Sequence, residues 1–225
     1  VAAIAQLQAA IREKPDDIMS VFLLRSLYER LGRLDQAIPV LQAAITANPR
    51  QILFGLALSD VDIRVGHYDD ALGRTSELLA SQRDLAIARL IRGQAYLAKG
   101  DAEGALKDYQ EAIRSDPKSA RARFYLAQVY ALLGRKQEAE AQYREAIKLE
   151  PAFGPAKRGL AILRGEKPDE RSQQQEIDQL RRQAHLLRTP TEIERLADAF
   201  AIPDPRATED NRALDRKQLG EMYRK

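Results

Sequence analysis

Apolar residues along most of this chain follow a helical pattern, and the predicted helices come in pairs. The segment from Tyr96 to Pro117 is repeated, with the same key residues in register, from Tyr130 to Pro151. A period of 34 residues relates one helix pair to the next. Glycines mark the places where the first helix of each pair is expected to end: Gly32, Gly66, Gly100 and Gly134. Each unit is thus predicted to form helix, tight turn, helix, turn, and the fold class is all-α.

Prolines and alanines recur with the same period. The prolines follow the predicted second helices, since proline is disfavoured inside a helix: Pro15, Pro49, Pro117 and Pro151. The alanines stand early in each second helix: Ala37, Ala71, Ala105 and Ala139. A small side chain there lets two helices approach closely. An accidental period in a helical bundle is the alternative, which four in-register units disfavour.

These residues resemble the tetratricopeptide repeat family, whose pattern joins an aliphatic and a small residue to later aromatic, alanine and proline positions. One unit shows the whole pattern: Leu126-Ala127, Tyr130, Ala139, Tyr143 and Pro151. The resemblance covers residues 1–163 and implies a right-handed superhelical solenoid of antiparallel helix pairs. The expected units are a partial repeat at 1–17, repeats at 18–51, 52–85, 86–119 and 120–153, and a capping helix at 154–163.

Three charged residues stand at helix positions where the family pattern has apolar or small residues. Asp62 occupies an aromatic position and Arg92 an aliphatic one, in adjacent units. A buried carboxylate is costly unless it is paired, so we expect a structural ion pair between Asp62 and Arg92 that joins the two repeats. Exposure of both charges to water is the alternative. Arg25 in a small-residue position is expected to force two helices apart or to point out of their seam.

In this family the first helices line the concave face of the superhelix, and the resemblance implies that a peptide or helix binds there. The side chains expected on this face are mostly apolar and predict a continuous hydrophobic strip. They are Met19, Phe22, Leu23, Ser26, Leu53, Leu56, Asp60, Ile63, Ile87, Leu90, Ile91, Gln94, Arg121, Phe124, Tyr125 and Gln128. If the helical phase is off by one residue, some of them belong to the core instead.

The repeat pattern ends after Leu163, and the chain continues into a polar stretch that predicts a linker at 164–175. Residues 176–225 predict an amphipathic helical tail, with a narrow apolar stripe that begins at Ile177 and Leu180. Such short helices are expected to pack on the outside of the solenoid, to fill its groove, or to bind another chain. Val1 falls within a helical pattern, so we expect this chain to be a fragment.

Composition excludes several classes of function but does not identify one. The chain has 44% hydrophobic and 31% charged residues and a net charge of only +3, which does not favour a nucleic-acid partner. It contains no cysteine and no apolar run long enough to span a membrane. No catalytic motif is present, and His67 and His185 lie too far apart in sequence to suggest a metal site. We therefore expect no enzyme activity, no cofactor and no metal, with the compartment left open between cytoplasm and periplasm.

The resulting hypothesis is a protein-protein interaction scaffold that binds an apolar or amphipathic peptide or helix in the concave groove. The partner is another protein or the chain's own C-terminal tail. The alternative is a regulatory or targeting region of a larger enzyme, with the C-terminal helices occluding the groove. An Ala- and Arg-rich composition is typical of high-GC bacteria. The resemblance to the tetratricopeptide repeat family implies roles such as envelope assembly, secretion and polysaccharide export, in which bacterial members of this family serve.

Overall fold

A computed structural model describes residues 2–166, which form ten α-helices, one short 3₁₀ turn and no strand. The helices are α1 Ala2–Glu13, α2 Ile18–Arg30, α3 Ala37–Ala47, α4 Ile52–Val65, α5 Tyr68–Ser81, α6 Ala86–Ala98, α7 Ala102–Ser115, α8 Ala120–Leu132, α9 Lys136–Leu149 and α10 Gly154–Arg164. The predicted helical tail at 176–225 lies outside the described residues, as does the predicted linker beyond residue 166.

The helices stack as a solenoid of antiparallel pairs. Every helix packs against its neighbours in sequence, and first helices also contact one another, α4 with α6, α6 with α8 and α8 with α10. The first helices α2, α4, α6 and α8 begin at Ile18, Ile52, Ala86 and Ala120, with a constant spacing of 34 residues. The predicted fold class is confirmed for the described part of the chain.

The turn after each first helix is built around glycine in the left-handed conformation. Gly66 has φ of 95°, and the N–H of His67 donates back to the Asp62 carbonyl at 2.7 Å. The equivalent backbone bond recurs at 2.8 Å after Gly32, Gly100 and Gly134. Only glycine adopts this conformation without steric cost, which explains its period. Helix α10 ends in the same way at Gly165, a residue that the sequence placed in the linker.

Proline marks the ends of the second helices but is not required to end them. Helix α3 ends at Ala47, two residues before Pro49. Helix α5 ends at Ser81, at the same place in its unit, although Arg83 stands where proline is expected. In both units the N–H that follows the last helical residue bonds to the carbonyl four residues earlier. The period of 34 residues therefore persists through the second unit, although that unit lacks the expected proline.

Small residues set the distance between the two helices of a pair. The four periodic alanines of the second helices are at most 1% exposed. In the third unit Gly93 faces Tyr109, whose side chain is fully buried. A Cβ atom at residue 93 would lie 2.5 Å from Cε1 of the tyrosine ring, closer than carbon atoms approach. The ring therefore occupies the space that the missing side chain leaves.

A pair of glycine-to-alanine substitutions tests this packing. Gly93→Ala is expected to lower the free energy of unfolding by about 1–3 kcal/mol, since the Tyr109 ring must move in a filled core. Gly73→Ala is the control, because Gly73 lies inside α5 with no atom near its missing Cβ. It should stabilise by about 0.5–1 kcal/mol through helix propensity. Equal effects of the two substitutions in urea denaturation would contradict the packing argument.

Candidate binding face

The sixteen predicted face residues lie on α2, α4, α6 and α8, and their exposed surface is called here the first-helix face. Four of them share the second position of these helices. Met19, Leu53 and Ile87 are 48%, 44% and 40% exposed, and Arg121 is exposed as well. Leu23, one turn after Met19, is 39% exposed. These four apolar residues, Met19, Leu23, Leu53 and Ile87, form what we call the apolar band.

The expectation of a continuous apolar strip is wrong, because part of the predicted set belongs to the core. Leu56, Leu90, Ile91 and Phe124 are only 3–8% exposed. Leu56 and Ile91 pack in one hydrophobic cluster with buried residues of α5 and α6. Phe22, at the register position of Phe124, is half-buried and stacks on Phe54 with ring centroids 6.2 Å apart. Contact between successive helices buries this row.

A row of polar side chains follows on the same face. Ser26, Asp60, Gln94 and Gln128 occupy the ninth position of the four helices and are all half-buried. We call them the polar band. The two remaining predicted residues, Ile63 and Tyr125, are also half-buried. The first-helix face is therefore amphipathic, with an apolar band near the helix N-termini and a polar band beside it.

Asp60 belongs to an ion-pair network between the first two units. Its carboxylate accepts from Nη2 of Arg25 at 2.5 Å and lies 3.9 Å from Nη1 of Arg64. Arg64 pairs in turn with Glu29. Arg25 was expected to separate the helices or to point out of the seam, but its side chain is only 15% exposed and links α2 to α4.

The predicted ion pair between Asp62 and Arg92 does not form. The Asp62 carboxylate, buried as expected, pairs with Arg74 of α5, in its own unit. Arg92 makes two hydrogen bonds to Asp108 of α7, at 2.6 and 2.7 Å, again within one unit. Both charges thus pair with a residue on the second helix of their own unit.

Sequence reasoning missed Asp108, although a signal for it exists. Asp108 stands 34 residues after Arg74, so one register position carries a cation in the second unit and an anion in the third. In each unit the first helix supplies the opposite charge, Asp62 in the second unit and Arg92 in the third. Arg92 also donates to the Ser76 hydroxyl of α5 at 3.3 Å, which is its contact with the preceding unit.

Burial and pairing change the acidity of several groups in this region. The hydrogen bonds that Arg92 donates to the Asp108 carboxylate raise the pKa of the Arg92 guanidinium. Burial raises the pKa of Tyr143 to about 12. Burial also raises the pKa of Tyr109 well above its ordinary value, and no group among residues 2–166 bonds to its hydroxyl. The Tyr109 ring stacks on Tyr125 of the next unit, with centroids 5.4 Å apart, so these tyrosines serve packing.

The Arg92–Asp108 pair can be tested by restoring the residues that the first unit carries. Arg92→Leu alone should cost about 3–5 kcal/mol of unfolding free energy, because it leaves the buried Asp108 carboxylate without its partner. The double variant Arg92→Leu/Asp108→Val reproduces Leu24 and Val40 and should recover most of that loss. The measurement is urea denaturation. A double variant no more stable than the single variant would contradict the pairing.

The family assignment now follows from sequence as well as from fold. The sequence model of the tetratricopeptide repeat family matches residues 2–52, 56–119 and 92–153. The chain belongs to this family. A search among curated proteins found no significant match.

Solved structures agree with this fold. A thermophilic tetratricopeptide repeat protein of Thermus thermophilus has a TM-score of 0.59 and 24% identity, covering 81% of this chain and 98% of that one. A tetratricopeptide repeat protein of Parabacteroides merdae has a TM-score of 0.58 and 19% identity, with coverages of 86% and 76%. MamA from Desulfovibrio magneticus has a TM-score of 0.55 and 18% identity, with coverages of 66% and 84%. At these identities the likeness shows the fold alone.

Two other kinds of site are absent from residues 2–166. No helix there is long and apolar enough to cross a membrane. No group of three or more acidic or histidine side chains is placed to hold a metal ion in this part of the chain. His67 lies 3.6 Å from the Asp62 carboxylate, and His185 is outside the described residues. The first-helix face remains the candidate site.

Proposed function

We propose that the protein is an interaction scaffold whose first-helix face binds an amphipathic segment of another protein. The observation that carries this proposal is the apolar band. Three of its members repeat at one register position of successive first helices and are 40–48% exposed. Single exposed apolar side chains are common on protein surfaces, whereas an ordered series along one face is typical of a contact surface.

The spacing of the band favours a helical ligand. Neighbouring packed helices lie about 8–10 Å apart, so Leu53 and Ile87 are separated by about that distance across α4 and α6. Residues seven apart on an α-helix are separated by about 10.5 Å along its axis. A bound helix that crosses the first helices could therefore place one apolar residue per unit against the band, as in helix-in-groove recognition.

The polar band favours an amphipathic ligand over a wholly apolar one. Gln94 and Gln128 present amide groups that can donate and accept hydrogen bonds, and Asp60 lies in the same row. A purely apolar segment would bury these groups without partners, which costs about 1–3 kcal/mol per group. The ligand is therefore expected to carry polar side chains along the edge that meets Gln94 and Gln128.

Family membership supports the general part of this proposal. Tetratricopeptide repeats are typically non-enzymatic scaffolds, and no catalytic step is proposed for the described residues. The alternative of an enzyme's regulatory region, with its groove occluded by the C-terminal helices, depends on residues outside the described part of the chain. The first-helix face itself is present in residues 2–166 and can be tested directly.

The test uses display selection of amphipathic helical peptides on the full 225-residue chain. Peptides with apolar residues at helical spacing should be enriched and should bind with measurable affinity. The double variant Leu53→Glu/Ile87→Glu should weaken their binding at least about tenfold, since each buried aliphatic side chain contributes about 1.5–3 kcal/mol.

A matched control places the same charges elsewhere. Leu132 and Leu149 are 68% and 38% exposed, on α8 and α9, and are not members of the apolar band. Leu132→Glu/Leu149→Glu should leave the affinity unchanged. Circular dichroism establishes that both double variants fold. Selected peptides that bind the Leu53→Glu/Ile87→Glu variant as tightly as the original chain would refute the proposed site.

A further inference from the structure

A crevice of about 250 Å³ lies between α3, α4 and α5, apart from the first-helix face. Its walls are partly apolar and partly polar, from Ile45, Pro49, Ile52, Gly55, Glu77 and Leu78. Ligand pockets for drug-sized molecules are commonly about 300–1,000 Å³, so this crevice suits a smaller group such as one side chain.

The next two units fill the equivalent place with an arginine. Arg89 and Arg123 stand 34 and 68 residues after Gly55. Nη2 of Arg89 donates to the Arg83 carbonyl at 2.6 Å, and Nη2 of Arg123 donates to the Pro117 carbonyl at 3.2 Å. In both units a guanidinium thus binds the turn that precedes the first helix.

The second unit keeps the acceptor but lacks the arginine. Pro49 stands 34 residues before Arg83, so its carbonyl is the equivalent acceptor. No hydrogen bond reaches that carbonyl from residues 2–166. Gly55 has no side chain to fill the crevice, and the nearest atom to its missing Cβ is Cδ1 of Leu78 at 3.6 Å. Cδ of Arg74 lies 3.8 Å from the same point, and the crevice between these side chains remains open.

The charges around the crevice favour a cation. The register equivalents of Glu77 are Glu111 and Glu145, which pair with Arg114 at 2.6 Å and with Lys148 at 3.6 Å. In the second unit Ala80 occupies the register position of Arg114 and Lys148. Glu77 therefore has no ion-pair partner among the described residues. Arg74 also lines the crevice, but its charge is compensated by the buried Asp62 carboxylate.

We propose that this crevice binds the side chain of an arginine supplied by a partner protein. The guanidinium donates to the Pro49 carbonyl and to the Glu77 carboxylate, and its aliphatic stem packs against Ile45, Ile52 and Leu78. Arginine suits the site better than lysine, since its planar fork can donate to two acceptors at once. The chain itself demonstrates the first of these contacts twice, at Arg89 and Arg123.

The test follows backbone amide signals of the ¹⁵N-labelled full chain by NMR during titration with N-acetyl-arginine amide. Saturable shifts are expected at Gly55, Ile52 and Leu78. N-acetyl-citrulline amide is the ligand control, because it has nearly the same shape without the charge and should give no saturable shift. Glu77→Gln should weaken arginine binding about 2- to 5-fold, the range of an exposed charge pair.

Two arginine substitutions complete the test. Gly55→Arg should abolish the shifts, since it supplies the guanidinium in cis. Its Cβ would make only ordinary contacts, 3.6 Å from Leu78 and 3.8 Å from Arg74, so the variant is expected to fold. Ala141→Arg adds the same charge at an exposed position of α9, two units away from the crevice, and should leave binding unchanged. Equal shifts with citrulline, undiminished binding by the Gly55→Arg variant, or no saturable shift with arginine would each overturn the proposal.

Discussion

The structure depends on the close contact between the two helices of each pair. A short helix cannot bury an apolar stripe alone, and its partner covers only part of that stripe, so stacking of further pairs completes the burial. Small residues at the contact make this possible, as Ala71, Ala105 and Ala139 show by having no exposed surface. The 34-residue period follows from this geometry, because every added pair must present the same contact at the same place.

That contact also explains how charged residues are tolerated where the family pattern has apolar ones. The Asp62 carboxylate and the Arg92 guanidinium each lie between the helices of one pair, where a partner on the second helix is within reach. A buried charge with a partner is much less destabilising than the same charge without one. The second unit departs most from the family pattern and still keeps its place in the stack.

The sequence predicted the repeat well, because its signals are local. A left-handed turn requires glycine at one position, as at Gly66, and a close helix contact requires alanine at one position. Each signal can be recognised from a single residue. It predicted the partners of Asp62 and Arg92 wrongly, since an ion pair depends on which helix each side chain reaches. It also placed Leu56 and Phe124 on the binding face, because the fifth position of a first helix lies at the border between core and surface.

Repetition is itself informative, because equivalent positions serve as internal references for one another. One register position is occupied by Val21, Gly55, Arg89 and Arg123 in the four units. Comparing them shows that the space beside the first helix is open in the second unit, where the residue is glycine. Along the first-helix face the same comparison separates an apolar band from a polar band, although no single unit shows that division. In a solenoid, a site is therefore best recognised as a departure from the period or as a property that the period repeats across several units.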